Sequence, residues 1–432
     1  MIKLNVIFAN NQIELMFFLI VLSGFFALST YVFTRGFQAL PPSVAIKIIY
    51  SILFIAGFLS FFSRMYFGDK IEERYAVPMS DIGFTFIIAL VYFAIIVFVI
   101  DLFRVANYFF HIFPNIITEN WSLSKQIALV VSLVTVAILL IIGNRNFNNP
   151  QVTKYELYTE KRLPEGALKI VLASDLHLSS YINGKHLRQY VDLINAQDAD
   201  LIMLAGDIAD RDVRPLVEHS MEVELARLNA RYGVFAITGN HEFYGGDRDH
   251  IYQIIRSSGI NLLIDSTHES PYGFVIIGRD DLTNSKRAPL DLLIRGVDEK
   301  LPLILLDHQP KNLDDAVNNK VDLQLSGHTH KGQFWPGNLI VSSMFELAYG
   351  HKKKSETDFI VTSGLGLWGP KYRIGTKSEI VVIDWKELPA SSGTTSAESS
   401  ATEPAKATSA ESSATSESSS EPTGPATSTS GE

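Results

Sequence analysis

Val321-Asp322-Leu323-Gln324-Leu325-Ser326-Gly327-His328-Thr329-His330 is a run that ends in a glycine and two histidines. It reads as a strand leaving a core, with two imidazoles on the turn at its exit. Neutral imidazole is the commonest metal ligand in proteins. One His-x-His pair is weak on its own, but the pattern recurs. Three upstream runs end in Asp175-Leu176-His177, Gly206-Asp207 and Gly239-Asn240-His241-Glu242, and Leu303–Leu306 runs into Asp307-His308. Five strand ends bearing Asp, Asn and His point to a dinuclear metal site.

The segments between these ends alternate. Leu168–Ala173, Leu201–Ala205 and Val234–Thr238 read as buried strands. Leu187, Tyr190, Val191 and Ile194 recur at helical spacing, and Val217–Leu228 and Ile251–Ser257 read as further helices. Later runs are strand-like: Phe274–Gly278, Leu303–Leu306, Leu323–Leu325, Leu339–Val341, Phe359–Thr362 and Ile380–Ile383. The expected fold is an α/β domain of two packed mixed β-sheets flanked by helices. In open α/β sheets, ligands gather beyond the carboxyl ends of strands, where these Asp and His residues stand.

The chain divides into three parts: a membrane-like segment over 1–145, the α/β domain over 146–388, and a Ser/Thr/Ala/Glu-rich tail over 389–432. Asn144–Leu163 reads as a polar connector. The tail repeats Ala-Glu-Ser-Ser-Ala-Thr at 397–402 and 410–415 and has almost no large apolar side chain, so disorder is expected. The 432 residues contain no cysteine, which excludes disulfides and thiolate metal sites. Oxygen and imidazole donors suit Mn, Fe or Zn. A net charge of −9 gives no reason to expect nucleic acid as a partner.

Four apolar stretches precede residue 145: Leu15–Phe33, Val44–Phe62, Ile82–Ile100 and Ile127–Gly143. Each approaches the roughly 20 residues that cross about 30 Å of hydrocarbon as a helix. An even number of spans puts both termini on one side. Lys3, Arg64, Lys70, Arg74, Arg145 and Lys154 fall on that side, and Arg35, Arg104 and Lys125 on the other, joined by Lys47 if the second span starts after it. The positive-inside bias then favours cytoplasmic termini, with the α/β domain on the cytoplasmic face of a bacterial inner membrane. Val105–Thr118, rich in aromatics and containing Pro114, reads as interfacial or re-entrant. Glu14, Lys47 and Asp101 lie near span ends and read as snorkelling groups.

In order, Asp175/His177, Gly206/Asp207, Gly239–Glu242, His308 and Gly327–His330 resemble the signature of the calcineurin-like metallophosphoesterase family. Gly278-Arg279-Asp280-Asp281, Leu306–Pro310 and Ser363–Gly366 extend the likeness to its membrane-anchored bacterial branch of YkuE- and YaeI-like enzymes. The resemblance covers about residues 150–385. It implies one divalent metal held by Asp175, His177, Asp207 and His330, and a second held by Asp207, Asn240, His308 and His328, with Asp207 bridging. It assigns His241 to the leaving-group side, as general acid or phosphate contact. The implied reaction is hydrolysis of a phosphoester or pyrophosphate by a metal-activated hydroxide.

Glu242 reads as a capping or ligand-supporting carboxylate, Asp280 and Asp281 as turn residues, and Asp307 as facing away from the metals. His111, His186, His219, His250, His268 and His351 fit no motif. His351–Lys354 reads as a solvated loop or a contact for anionic headgroups. The expected substrate is a phosphate ester, in the lipid-linked case a molecule such as UDP-2,3-diacylglucosamine of lipid A synthesis. The alternatives are a broad phosphodiesterase or cell-wall phosphatase facing outward, and a non-catalytic membrane sensor. Oligomeric state is left open.

Overall fold

The computed structural model describes residues 2–67, 71–389 and 408–409. Four long helices come first: α1 (Ile2–Ala39), α2 (Val44–Phe67), α3 (Glu73–Phe110) and, after the short α4 (Asn115–Glu119), α5 (Trp121–Asn148). These four are long and apolar enough to cross a membrane, and few of their residues are buried within the protein. Apolar side chains that face outward all round a helix need lipid as their solvent. Helices α1, α3 and α5 overrun the expected spans at both ends, and α2 starts with its span at Val44 and overruns it only at the far end. The stretch expected to be interfacial holds the end of α3, a left-handed turn at His111, and α4.

The connector expected over Asn144–Leu163 is instead the end of α5 followed by β1 (Gln151–Thr159). Only a few apolar residues of β1 face the core, so its sequence looks polar. The chain continues through β2 (Ala167–Ala173), α6 (Gly184–Asn195), β3 (Leu201–Ala205), α7 (Arg214–Glu218), α8 (Met221–Leu225), β4 (Val234–Ile237), α9 (Asn240–Tyr244), α10 (Arg248–Ser257), β5 (Asn261–Leu262), β6 (Ser266–Ser270) and β7 (Phe274–Gly278). It then forms α11 (Leu290–Leu293), β8 (Leu303–Leu306), α12 (Leu313–Asn318), β9 (Leu323–Ser326), α13 (Gly337–Met344), β10 (Gly350–Lys354), β11 (Thr357–Val361), β12 (Glu379–Glu387) and β13 (Thr408–Ser409).

One sheet runs β13-β1-β12-β2-β3-β4-β5 and the other β10-β11-β9-β8-β7-β6. Their central strands β2-β3-β4 and β7-β8-β9-β11 are parallel, and all are buried. A strand covered on both faces reads as a continuous apolar run, which is why β3, β4, β7 and β8 were visible in the sequence. Ile170, Leu172, Met203, Ile237, Ile304 and Leu325 fill the space between the sheets. Val171 and Leu204 pack outward on Leu187, Val191 and Ile194 of α6, and Ile277 and Leu305 on Leu313 and Ala316 of α12. Each fully buried Leu or Ile contributes roughly 1.5–3 kcal/mol.

Two expectations are corrected. Leu339–Val341 is helical, inside α13, rather than a strand. Val217–Leu228 is two short helices, because Ser220 adopts a left-handed backbone (φ 47°) between them. Of the tail expected to be disordered, residues 390–407 and 410–432 lie outside the described residues, and Thr408 and Ser409 pair with Lys154 and Thr153.

The α/β domain sits directly on α3 and α5. Ile374 packs with Ile88, Tyr92 and Val136. Tyr372 shares a hydrogen bond with Thr85 (2.7 Å), Lys371 pairs with Asp81 (2.9 Å), and the Tyr92 hydroxyl donates to the Trp335 carbonyl (2.8 Å). Gly143 is required where α5 meets this loop, since a Cβ there would lie 2.5 Å from Ile374.

Candidate metal centre

The carboxyl ends of β2, β3, β8 and β9 converge, and β4 delivers α9 to the same place. The loops after β2 and β3 are laced by backbone bonds: Asp175 N–H donates to Gly206 (3.0 Å), His177 N–H to Asp207 (2.9 Å) and Leu178 N–H to Ile208 (2.9 Å). Asp175, His177, Asp207, His328 and His330 all take left-handed backbone conformations, with φ of 56°, 49°, 50°, 70° and 49°. For residues with a Cβ this is uncommon, and such strain concentrates at functional sites. Glycine clears the space between them. A Cβ on Gly327 would lie 2.0 Å from Ser174 Oγ and 2.4 Å from Asp175 Oδ2.

The side chains form two adjoining groups. In the first, the Nε2 atoms of His177 and His330 face each other at 3.2 Å, with Asp175 Oδ1 3.9 and 3.4 Å away. In the second, His308 Nε2 lies 3.2 Å from Asp207 Oδ2, and His328 Nδ1 lies 2.8 Å from Asn240 Oδ1. Asp207 stands between the groups, its Oδ2 also 3.7 Å from His177 Nε2.

The supporting contacts aim these donors. His308 Nδ1 lies 2.7 Å from the Ala205 carbonyl, to which it donates, turning Nε2 toward Asp207. Both Asp175 oxygens accept the His328 N–H at 3.1 Å. The Nδ1 atoms of His177 and His330 have no hydrogen-bond partner among the described residues, nor does His308 Nε2 find one in good geometry. Burial drives His177 down to about 4 and His330 well below the ordinary histidine value, with His177 adding to the second effect. Burial and the nearby His308 bring His328 down to about 4. These rings are neutral and present lone pairs.

Burial pushes Asp175 up to about 6. For Asp207 burial acts upward too, but His308, His177 and His241 hold it well below the usual carboxylate range. Burial would lower His308, yet Asp207 raises it well above the ordinary value. Asp207 therefore calls for positive charge beside it. Neutral imidazoles, an amide oxygen and two buried carboxylates, with no thiolate, are a donor set that could hold divalent cations.

His241 lies at the rim. Its ring meets that of His177 edge-on at 4.5 Å, and it comes within ligand reach of His177 and Asp207. Its Nδ1, however, is 2.6 Å from Asp210 Oδ1. Burial would lower His241, but the Asp210 hydrogen bond carries it above the ordinary value. Asp210 was not singled out from sequence. Its signal was its place three residues after Asp207, on the same loop.

Glu242 accepts the N–H groups of Ala209 (2.9 Å) and Gly239 (2.8 Å), a capping arrangement. Asp280 accepts from Thr238 (2.7 Å) and Asp281 from Gln309 (3.0 Å), so both order loops. Asp307 pairs with Arg279 and Arg287. Of the histidines outside the motifs, His219 meets Glu73, His268 packs on Phe235, and His351 pairs with Asp358, all away from the site. Lys352 and Lys354 are strand residues paired with Glu346, correcting the loop expected there.

A second residue missed from sequence is Arg373, fully buried in the loop that rests on α5. Its N–H donates to the Gly143 carbonyl (2.9 Å), and its guanidinium to Gly364 (2.9 Å) and Gly366 (2.8 Å). Gly366 N–H donates in turn to the Asp175 carbonyl (2.8 Å). A short bonded path thus joins the end of a membrane helix to a residue of the site.

Residues 168–332 match the family model described as calcineurin-like phosphoesterase. A transmembrane protein with metallophosphoesterase domain from Danio rerio is 31% identical over 276 residues, 60% of this chain and 62% of that protein. A metallophosphoesterase of Aquifex aeolicus is 33% identical over 244 residues, 55% of this chain and 92% of that one. The metallophosphoesterase YkuE of Bacillus subtilis is 30% identical over 265 residues, 56% and 89%. The match thus spans about three fifths of the zebrafish protein's own length and most of the two bacterial ones.

Proposed function

The chain belongs to the calcineurin-like metallophosphoesterase family, and on that premise we propose that it hydrolyses a phosphoester or pyrophosphate carried by a membrane lipid. Asp175, His177, Asp207 and His330 would hold one divalent cation, and Asp207, Asn240, His308 and His328 a second. When bound, the pair supplies Lewis-acid neutralisation of the phosphoryl oxygens and an acidified water. His241 is the proton donor to the leaving oxygen, and Asp210 fixes its ring so that Nε2 faces the reacting group.

The observation that carries the lipid reading is α13. This eight-residue helix begins five residues after Gly332, at the end of the turn bearing His328 and His330, and none of its residues is buried. Leu339, Ile340 and Met344 are about 60–70% exposed, and Trp335 just before them is 44% exposed. Phe345 at its far end meets the His328 ring at 6.0 Å. Such a patch marks an interaction site.

Its depth along the helix bundle supports a lipid partner. Trp335 bonds to Tyr92, and Tyr92 stands twelve residues before Arg104, at the far end of α3. At 1.5 Å per residue that is about 18 Å, less than the roughly 30 Å of hydrocarbon. This depth supports a place for α13 in the near leaflet. By the charge bias of the connecting loops, this leaflet is the cytoplasmic one.

The test uses full-length protein in Mn, Fe, Zn or Mg, with a soluble model diester and vesicles containing a lipid pyrophosphate, UDP-2,3-diacylglucosamine among them. The double substitution Leu339→Glu with Ile340→Glu should cut turnover of the lipid substrate at least tenfold and spare the soluble diester. Equal loss on both, or on neither, contradicts the lipid reading.

A further inference from the structure

From the end of the helix bundle away from the metal centre, a cavity of about 440 Å³ lined by all five helices runs inward as far as Phe86. That is the size of a small-molecule site. Its interior is apolar, with Leu90, Phe93, Val97 and Ala128 among its walls. Its rim is charged, carrying Arg35, Arg104 and Lys125 and one carboxylate, Asp101.

That carboxylate is saturated. It accepts from Arg35 (2.8 Å), Arg104 (2.9 Å) and the Tyr31 hydroxyl (2.8 Å). Three cations against one anion leave the rim with two positive charges. The Arg35 and Arg104 side chains remain 35% and 37% exposed, so their outer faces are accessible. A second hollow shares Arg35, Asp101, Arg104 and Trp121 and lies against the first. Arg104 sits over the Trp121 ring at 5.4 Å. Trp and Arg at a helix end mark headgroup depth.

We propose that this cavity binds an anionic phospholipid in the leaflet opposite the metal centre. One acyl chain fills the apolar interior, and the phosphate rests on Arg35, Arg104 and Lys125. A free anion would leave the interior without a partner. A neutral-headed lipid would leave the two positive charges unmatched. The site is separate from the hydrolytic centre and is independent of the reaction proposed for it.

Native mass spectrometry of the full-length protein tests this, with phosphatidylglycerol, phosphatidylcholine and glycerol phosphate as probes. The expected result is one phosphatidylglycerol retained per chain, about tenfold over phosphatidylcholine, with no competition from glycerol phosphate. Lys125→Gln should weaken retention about fivefold, as for one basic group at a membrane surface. Ala128→Trp, which fills the interior and leaves every charge in place, should abolish it. Unchanged elution and helicity of Lys125→Gln keep the result interpretable if the larger substitution misfolds. Equal retention of both lipids, retention unchanged in Lys125→Gln, competition by glycerol phosphate, or a dimer that closes the cavity without lipid would overturn the proposal.

Discussion

The Nδ1 of His241 and the Oδ1 of Asp210 lie 2.6 Å apart. The histidine comes from α9, after β4, and the aspartate from the loop after β3, so two neighbouring strands fix one ring. A carboxylate on one imidazole nitrogen sets the tautomer and aims the other. Asp210→Asn should therefore lower kcat about 10–100-fold while metal content stays at the wild-type value. If metal content falls instead, His241 is a ligand and its placement on the leaving-group side is wrong.

Gly327 is held against Ser174 and Asp175 so closely that no side chain fits. Gly327→Ala must displace the Asp175 carboxylate or the turn that carries His328. The expected outcome is loss of about one metal equivalent per chain and at least a hundredfold drop in turnover, since small misplacements of a reacting group are costly. Metal analysis together with steady-state rates would check it. A wild-type metal complement would show that the turn can give way.

Arg373 joins Gly143 of α5 to Gly364 and Gly366, which back Asp175. Arg373→Met keeps much of the volume but leaves the Gly366 carbonyl without its donor and the Gly364 carbonyl with only the Glu379 N–H, a cost of about 2–5 kcal/mol. For a domain of this size the Tm should fall by about 5–15 °C. Differential scanning in detergent measures this. A shift within 2 °C of zero would mean that other donors replace the guanidinium.

The parts of the fold that could be read ahead share a physical cause. β3 and β8 are covered on both faces and are unbroken apolar runs, β2 is interrupted only by Lys169, β9 alternates leucine with Gln324 and Ser326, and each is followed by a side chain whose chemistry is conspicuous. α13 was mistaken for a strand because Leu339-Ile340-Val341 is a short apolar run with two β-branched residues, and periodicity cannot separate such a run from a helix. It packs against the His330 turn, a tertiary neighbour that the run itself does not reveal. Asp210 and Arg373 were invisible for another reason. A single charged residue in a loop acquires its role from what the tertiary fold sets opposite it, here His241 and the carbonyls behind Asp175.

Asp207 links the two donor groups, with His308 at 3.2 Å on one side and His177 at 3.7 Å on the other. The most direct test of the account is metal content and hydrolysis of a soluble model diester, measured on the same preparations of full-length wild type, Asp207→Ala and His241→Ala. The account predicts two metals per chain and turnover in the wild type. Asp207→Ala should lose both metal and turnover, and His241→Ala should keep its metal and lose at least a hundredfold in rate. A wild-type protein that takes up no metal, or an Asp207→Ala protein that still hydrolyses the ester, would contradict it.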